Sequence, residues 1–214
     1  MIAPEPKRVL IIRLSAIGDV VFASPLVAAC KKRYPEVEID WLAEGVVRPL
    51  LTEMPGLNNV ILWPRQEWQE LWREKRFFAL ISAVAAFRRK LRARNYDLVI
   101  DAQGLVKSAF LAWLTGSRQR IGFKSKEPNG IFLTDRYEKS ITSRISSEYL
   151  ALADILGWDT SSFEMVVGLA ASDDARATDV APDEPYVVIA PFTTRPQKHW
   201  THAHWRVLIG RLVD

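Results

Sequence analysis

The stretch RVLIIRLSAIGDVVFASP, Arg8 to Pro25, decides the fold. Its opening, RVLII, is apolar without alternation, which suits a parallel strand covered on both faces. The run then breaks into a short polar loop that reaches Gly18-Asp19. Ser24-Pro25 supply a good N-cap and a proline for the first helical position, so a helix is expected from there to about Tyr34. Strand, loop and helix in that order begin a βαβ unit, in which ligands bind beyond the carboxyl end of the strand. Gly18 lets a ligand approach the backbone closely, and the carboxylate of Asp19 can take a proton from a hydroxyl or contact a sugar. A cap on the first turn of the helix accounts for Asp19 equally well at this point.

The same pattern recurs outward from this unit. Short apolar runs at EIDWLAE (38–44), NNVILW (58–63), DLVIDAQ (97–103) and QRIGF (119–123) alternate with segments of helical spacing. That alternation predicts an α/β fold with a parallel sheet. Gly116 is expected to end a helix as its C′ residue. From Glu67 to Asn95 a long amphipathic pattern places Leu71, Phe78, Ile81, Val84 and Leu91 on one side and ends in the basic RRKLRARN. Ala171 to Pro185 is polar, with Asp173, Asp174, Asp183 and Glu184, and reads as a connection. PYVVIAP (185–191) then reads as a new strand, with a new helix from Thr201. The expected organisation is a first domain over 1–170, a linker over 171–184 and the beginning of a second α/β domain over 185–214.

Composition narrows the partners without choosing one. A chain of 214 residues, 49% hydrophobic, can bury a sizeable core, and its net charge of +4 favours anionic ligands such as nucleotides, phosphorylated glycans or membrane surfaces. Cys30 is the single cysteine, which excludes an internal disulfide and a thiolate metal cluster and fits a reducing compartment. Arg13 interrupts the first apolar run too early for a secretory signal, and FFALISAVAAF (77–87) is well short of a membrane span. The protein is expected to be soluble, with peripheral membrane contact open.

Other stretches carry candidate chemistry. DAQGLVKSAF (101–110) again ends a strand and starts a helix, bringing Gln103, Gly104 and Lys107 to the same sheet edge; a structural cap is the alternative. In IAPFTTRPQKHWTHAHW (189–205), Thr193 and Thr194 offer donors and Lys198 a positive charge beside a helix N-terminus, a combination suited to phosphate. An ordinary exposed loop explains it too. His199, His202 and His204 fall in the same stretch, but two-residue spacing sends His202 and His204 to different sides of a helix and no acidic ligand is near, so no metal is expected. SAIGDVVFAS has one glycine where a dinucleotide fingerprint has three, although Glu44 stands where a ribose-binding acid would. No phosphate-loop or nucleic-acid signature is present. Trp63, Trp68, Trp72, Phe77 and Phe78, followed by Arg88 to Arg94, either lie on an anionic membrane or cover the sheet with a solvated basic face.

Taken together, RVLIIRLSAIGD, YDLVIDAQGLVKSA, RIGF and TTRPQKHWTHAHW resemble the ADP-heptose:lipopolysaccharide heptosyltransferases, glycosyltransferase family 9. The resemblance implies GT-B architecture: two Rossmann-like domains, with the acceptor bound mainly by the first and the nucleotide sugar mainly by the second. It implies an ADP-heptose donor, a Kdo-lipid A type acceptor and a site in the cytoplasm, peripheral to the inner membrane. By the same resemblance Asp19 matches the catalytic base, and Thr193, Thr194 and Lys198 match contacts to the donor diphosphate. No metal or other cofactor is implied. Gly18, Arg65, Gln103, Lys107, Lys126 and Arg144 are the corresponding acceptor-side candidates.

Two departures qualify the match. Where the family has an arginine-rich acceptor segment, PRQEWQELW keeps Arg65 but adds Glu67 and Glu70, so a different sugar or acceptor stays open. The later D-x-G-x-x-H segment of the second domain is not in the chain, so the 214 residues are expected to show little transfer on their own. A non-catalytic module that binds anionic glycolipid or a protein is the alternative of a different class.

Overall fold

A computed structural model describes residues 5–140, 142, 146–192 and 196–213. The chain divides into two compact units, Met1–Asp174 and Ala175–Asp214. The first is built on six parallel strands: β1 (Arg8–Ile12), β2 (Glu38–Ala43), β3 (Asn59–Leu62), β4 (Leu98–Asp101), β5 (Gln119–Phe123) and β6 (Asp135–Tyr137). Their order across the sheet is β3-β2-β1-β4-β5-β6, so successive units wind outward in both directions from β1 and β4. Five of the six strands fall where the apolar runs predict them. β6 does not announce itself, because an edge strand of sequence DRY is short, polar and mostly exposed.

Strand geometry divides the core. Side chains of successive strand residues point to opposite faces, so Val9, Ile11, Ile39, Trp41, Leu98 and Ile100 join one buried cluster. Leu10, Ile12, Leu42 and Val99 join the other. The first cluster is closed by α1 (Ile17–Ala23), α2 (Pro25–Arg33) and α6 (Ser147–Ile155). The second is closed by α4 (Phe77–Arg92) and α5 (Val106–Leu114), with α3 (Arg65–Arg73) beside α4. Gly116 follows α5 at φ +72°, the left-handed position expected at a C′ residue.

Three elements depart from expectation. Helical structure begins at Ile17, not at Ser24-Pro25. Ser24 is itself helical and its hydroxyl donates to the Val21 carbonyl (2.7 Å), so it does not cap, and Pro25 only divides α1 from α2. The long pattern from Glu67 is two helices, broken around Lys75 at φ 58°. Only Phe87 and Leu91 of α4 are buried, because only its second half lies on the sheet; Phe78 and Ile81 stay exposed. The basic run after them keeps Arg89, Lys90 and Arg92 exposed, and part of it is drawn into the fold. Arg88 lies over the Trp113 ring, Arg92 packs against Gly116, and Arg94 binds the buried Asp40.

The polar stretch after residue 170 forms a helix, α7 (Ala171–Val180), whose first turn carries Asp173 and Asp174 where the helix dipole favours negative charge. The second unit has α8 (His202–Val213) but no strand among its described residues, and Val187 and Val188 of PYVVIAP are exposed. A strand exists through a neighbour that takes up its backbone groups, and none of the described residues there supplies one.

Candidate active site

The strand order reverses between β1 and β4, and the loops at their carboxyl ends meet there. Gln103, in the loop after β4, accepts the Leu14 N–H (3.0 Å) and the Ser15 N–H (3.5 Å) through Oε1. Arg13 reaches the other way: its guanidinium donates to the carbonyls of Ala102 (3.1 Å) and Gln103 (3.4 Å). The Trp41 indole donates to the Arg13 carbonyl (3.0 Å), which fixes the backbone beneath the loop. Two loops far apart in sequence are thus tied into one rim.

Asp19 stands on that rim in the first turn of α1. Its Oδ2 is paired with Arg13 and accepts the Ala16 N–H (3.3 Å), so the capping expected as the plain alternative is present. Oδ1 has no hydrogen-bond partner among the described residues, and the side chain is 46% exposed while that of Arg13 is 9% exposed. One oxygen is anchored, and the other is left without a partner among the described residues on a half-exposed side chain. A Cβ built on Gly18 meets no atom within 4 Å, so packing gives no reason for glycine there and the space beside the loop is open.

Behind the rim lies Asp101, fully buried, whose Oδ1 accepts the N–H groups of Gln103 and Gly104 at 3.1 Å each. Gly104 turns the chain at φ +75°, which a side chain would strain. Burial pushes the Asp101 carboxyl up to about 6, against the opposing influence of the Gly104 N–H, Ser108, the Gln103 N–H and Arg13. Tyr149, also buried, is pushed up by desolvation, and its hydroxyl lies 3.5 Å from the Ala102 carbonyl.

On the far side of β1, Glu44 follows β2, and Arg65 begins α3. Arg65 Nη1 lies 3.1 and 3.0 Å from the two Glu44 carboxylate oxygens, and Lys107 Nζ lies 3.8 Å from Oε1. The Trp63 ring sits within 6.0 Å of the Arg65 guanidinium and 5.8 Å of the Lys107 ammonium. Glu44 therefore holds two cations together at the edge of a hollow of about 740 Å³ lined by Glu44, Val46, Trp63, Arg65 and Gln66. Lys126 lies in the exposed loop after β5, next to Glu127, which accepts the Val106 N–H (2.8 Å) at the start of α5.

The structure thus brings Gly18, Asp19, Gln103 and Lys107 to one sheet edge, with Arg65 at the start of α3 and Lys126 on the loop after β5. Arg144, Thr193 and Thr194 lie outside the described residues. In the second unit Lys198, exposed, ends the turn Pro196–Lys198, and Thr201 Oγ1 accepts the His204 N–H (3.3 Å) as the cap of α8. Among the described residues no group of three or more His, Cys, Asp or Glu side chains could hold a metal ion, and no helix is long and apolar enough to cross a membrane. Sequence reading missed the parts of Arg13 and Asp101 in holding this rim together. For Arg13 there was a signal: a charged residue at the end of an otherwise apolar strand needs a buried partner.

Six parallel strands with helices on both faces and a switch point between β1 and β4 make the first unit Rossmann-like, and its likeness to solved heptosyltransferases places it in the α/β GT-B type. The family profile described as glycosyltransferase family 9 (heptosyltransferase) matches residues 84–214, and the chain belongs to that family. Lipopolysaccharide heptosyltransferase 1 of Escherichia coli K12 is 32% identical over 214 aligned residues, which cover 97% of this chain and 65% of the relative. Two solved structures of the E. coli heptosyltransferase WaaC, one with ADP and one with ADP-2-deoxy-2-fluoro heptose, superpose with TM-scores of 0.73 and 0.71. Both are 29% identical, cover 97% of this chain, and are themselves covered over 65% and 66% of their length.

Proposed function

We propose that this chain is the acceptor-binding part of an inverting transferase that moves heptose from ADP-heptose to the Kdo inner core of lipopolysaccharide. The observation that carries the reading is Asp19, with Oδ2 fastened by Arg13 and Ala16 and Oδ1 left without a partner among the described residues, on a half-exposed side chain beside the open space at Gly18. In the reaction the acceptor oxygen attacks the anomeric carbon, its proton passes to Oδ1, and the bond to ADP breaks with the electron pair leaving on phosphate. A positioned base contributes about 10²- to 10⁴-fold to such a step. Gly18, Gln103, Arg65, Lys107, Lys126 and Arg144 are assigned to the acceptor. Thr193, Thr194 and Lys198 are assigned to the donor diphosphate, where a lysine and a helix N-terminus offset the developing charge without a metal.

On this reading residues 1–170 serve the acceptor, 171–184 connect, and 185–214 begin the nucleotide-sugar domain. The chain spans 65% of the E. coli K12 relative it matches, and by itself it should transfer little or no heptose. The work is placed at the cytoplasmic face of the inner membrane, in peripheral contact with anionic lipid. The test uses the full-length protein with ADP-heptose and a Kdo-lipid A acceptor, in the presence of a chelator. Asp19→Ala should lower kcat by at least about 10²-fold at a temperature where the variant is still folded, even though losing the Arg13 pair and the cap lowers its melting temperature; turnover near that of the wild type would remove Asp19 as the base.

A further inference from the structure

The α3–α4 hairpin carries apolar surface that the active-site assignment does not use. Trp72, Phe78 and Ile81 are 66%, 92% and 65% exposed. Trp72 meets Phe77 edge-on at 5.4 Å, and Phe77, Phe78 and Ile81 share a helix face at three- and four-residue spacing, so these four side chains form one tip. Isolated apolar residues on a surface mean little, but a contiguous patch of large ones marks a site of contact. Behind the tip runs an open groove of about 490 Å³, lined by Trp63, Trp68, Trp72, Leu80, Val84 and Phe110. Arg65 lines this groove and also the hollow held by Glu44, so an apolar channel leads from the tip to a cation of the candidate acceptor site.

Charge around the tip selects its occupant. Arg73, Lys75 and Arg76 are exposed at the turn; Arg73 and Lys75 have no ion-pair partner among the described residues, and Arg76 has only the exposed Glu74 at 3.3 Å. A second copy of this chain, docked tip to tip, would set these cations against themselves. Aromatic side chains beside exposed cations, with an open and mainly apolar groove that reaches Arg65, fit an amphiphile with an anionic head and an acyl tail.

We propose that the α3–α4 hairpin engages anionic lipid, its tip entering the interface of a bilayer and its groove taking an acyl chain whose headgroup lies toward Arg65. The proposal deepens, and rests on, the reading of the acceptor as a lipid-linked sugar. Its test is sedimentation of the chain with phosphatidylcholine vesicles made with and without phosphatidylglycerol. The wild type should bind the anionic vesicles and be released by salt. Phe78→Asp, at a position that packs against nothing, should lower the partition coefficient about tenfold with an unchanged melting temperature. Bromine placed on the acyl chains should quench tryptophan emission, and quenching should fall in Trp72→Phe.

Equal binding to both vesicles, or binding that survives Phe78→Asp, would overturn the proposal. So would a dimer in solution that Phe78→Asp dissolves, since the tip would then be covered by a second copy. The full-length protein separates this failure from that of the parent reading. Transfer to an acceptor stripped of acyl chains, without vesicle binding, leaves the transferase and removes the lipid surface. Vesicle binding without transfer does the reverse.

Discussion

Asp101 gives the most demanding test of the site's architecture. Its Oδ1 holds the turn that carries Gln103, while Oδ2 is buried without a hydrogen-bond partner among the described residues. Burial raises its carboxyl from 3.8 to about 6. A carboxyl whose folded value lies above its unfolded value contributes stability fully below the unfolded value and loses it as pH rises through the folded one. The difference corresponds to about 3 kcal/mol, lost between about pH 4 and about pH 7. Asp101→Asn removes the charge and keeps a carbonyl acceptor for the two N–H groups. Urea unfolding of both proteins across that range isolates the effect, because every other titrating group is common to the pair. The stability of the wild type relative to Asp101→Asn should fall by about 3 kcal/mol as the pH rises. A difference that stays constant, or grows in favour of the wild type, would refute the argument that the buried carboxylate is held against its solvation.

Arg94→Ala should cost about 2 kcal/mol in a thermal melt, a figure reduced for the partial exposure of Arg94, because it strips Asp40 of its charged partner in the core. An unchanged melting temperature would mean that Tyr96 and Asn59, which donate to Asp40 at 2.6 and 2.9 Å, satisfy it alone. Gly104→Ala should cost about 1 kcal/mol through backbone strain alone, since its added Cβ would meet Phe123 only at ordinary contact distance (3.5 Å); loss-free substitution in urea would contradict the left-handed turn. Cys30 is buried and its thiol is pushed up to about 12 by desolvation. It should resist N-ethylmaleimide in the native chain and react on unfolding, and rapid native labelling would count against its place in the core.

What the sequence made legible is tied to periodicity. β1 and β4, at the middle of the sheet, are nearly continuous apolar runs because a parallel sheet covered on both faces demands that composition, and β2, β3 and β5 surface as strands around shorter apolar segments. Asp19, Gln103 and Lys107 were legible for a related reason: in such sheets the residues just past a strand's carboxyl end face the crevice. The rest depended on contacts between distant segments. Nothing local in EIDWLAE tells that Glu44 will meet Arg65 and Lys107, nor that Asp40 will take Arg94 out of an apparently solvated basic run. The break at Lys75 escaped notice because a helical pattern continues in phase on either side of it. PYVVIAP shows the converse limit: its residues favour a strand, and pairing, which composition does not encode, decides whether one forms.

The amide of Gln103 that bridges the loops after β1 and β4 also sets an order of assembly. β1 can pair with β2 as soon as Ala43 is free, but the Leu14 and Ser15 amides wait for Gln103, 89 and 88 residues further along the chain. At the pace of synthesis that wait is on the order of 10 s. The rim that presents Asp19 therefore closes only once β4 has arrived, and a slow or mistimed arrival of β4 leaves the β1–β2 pair formed and the reactive edge not yet made.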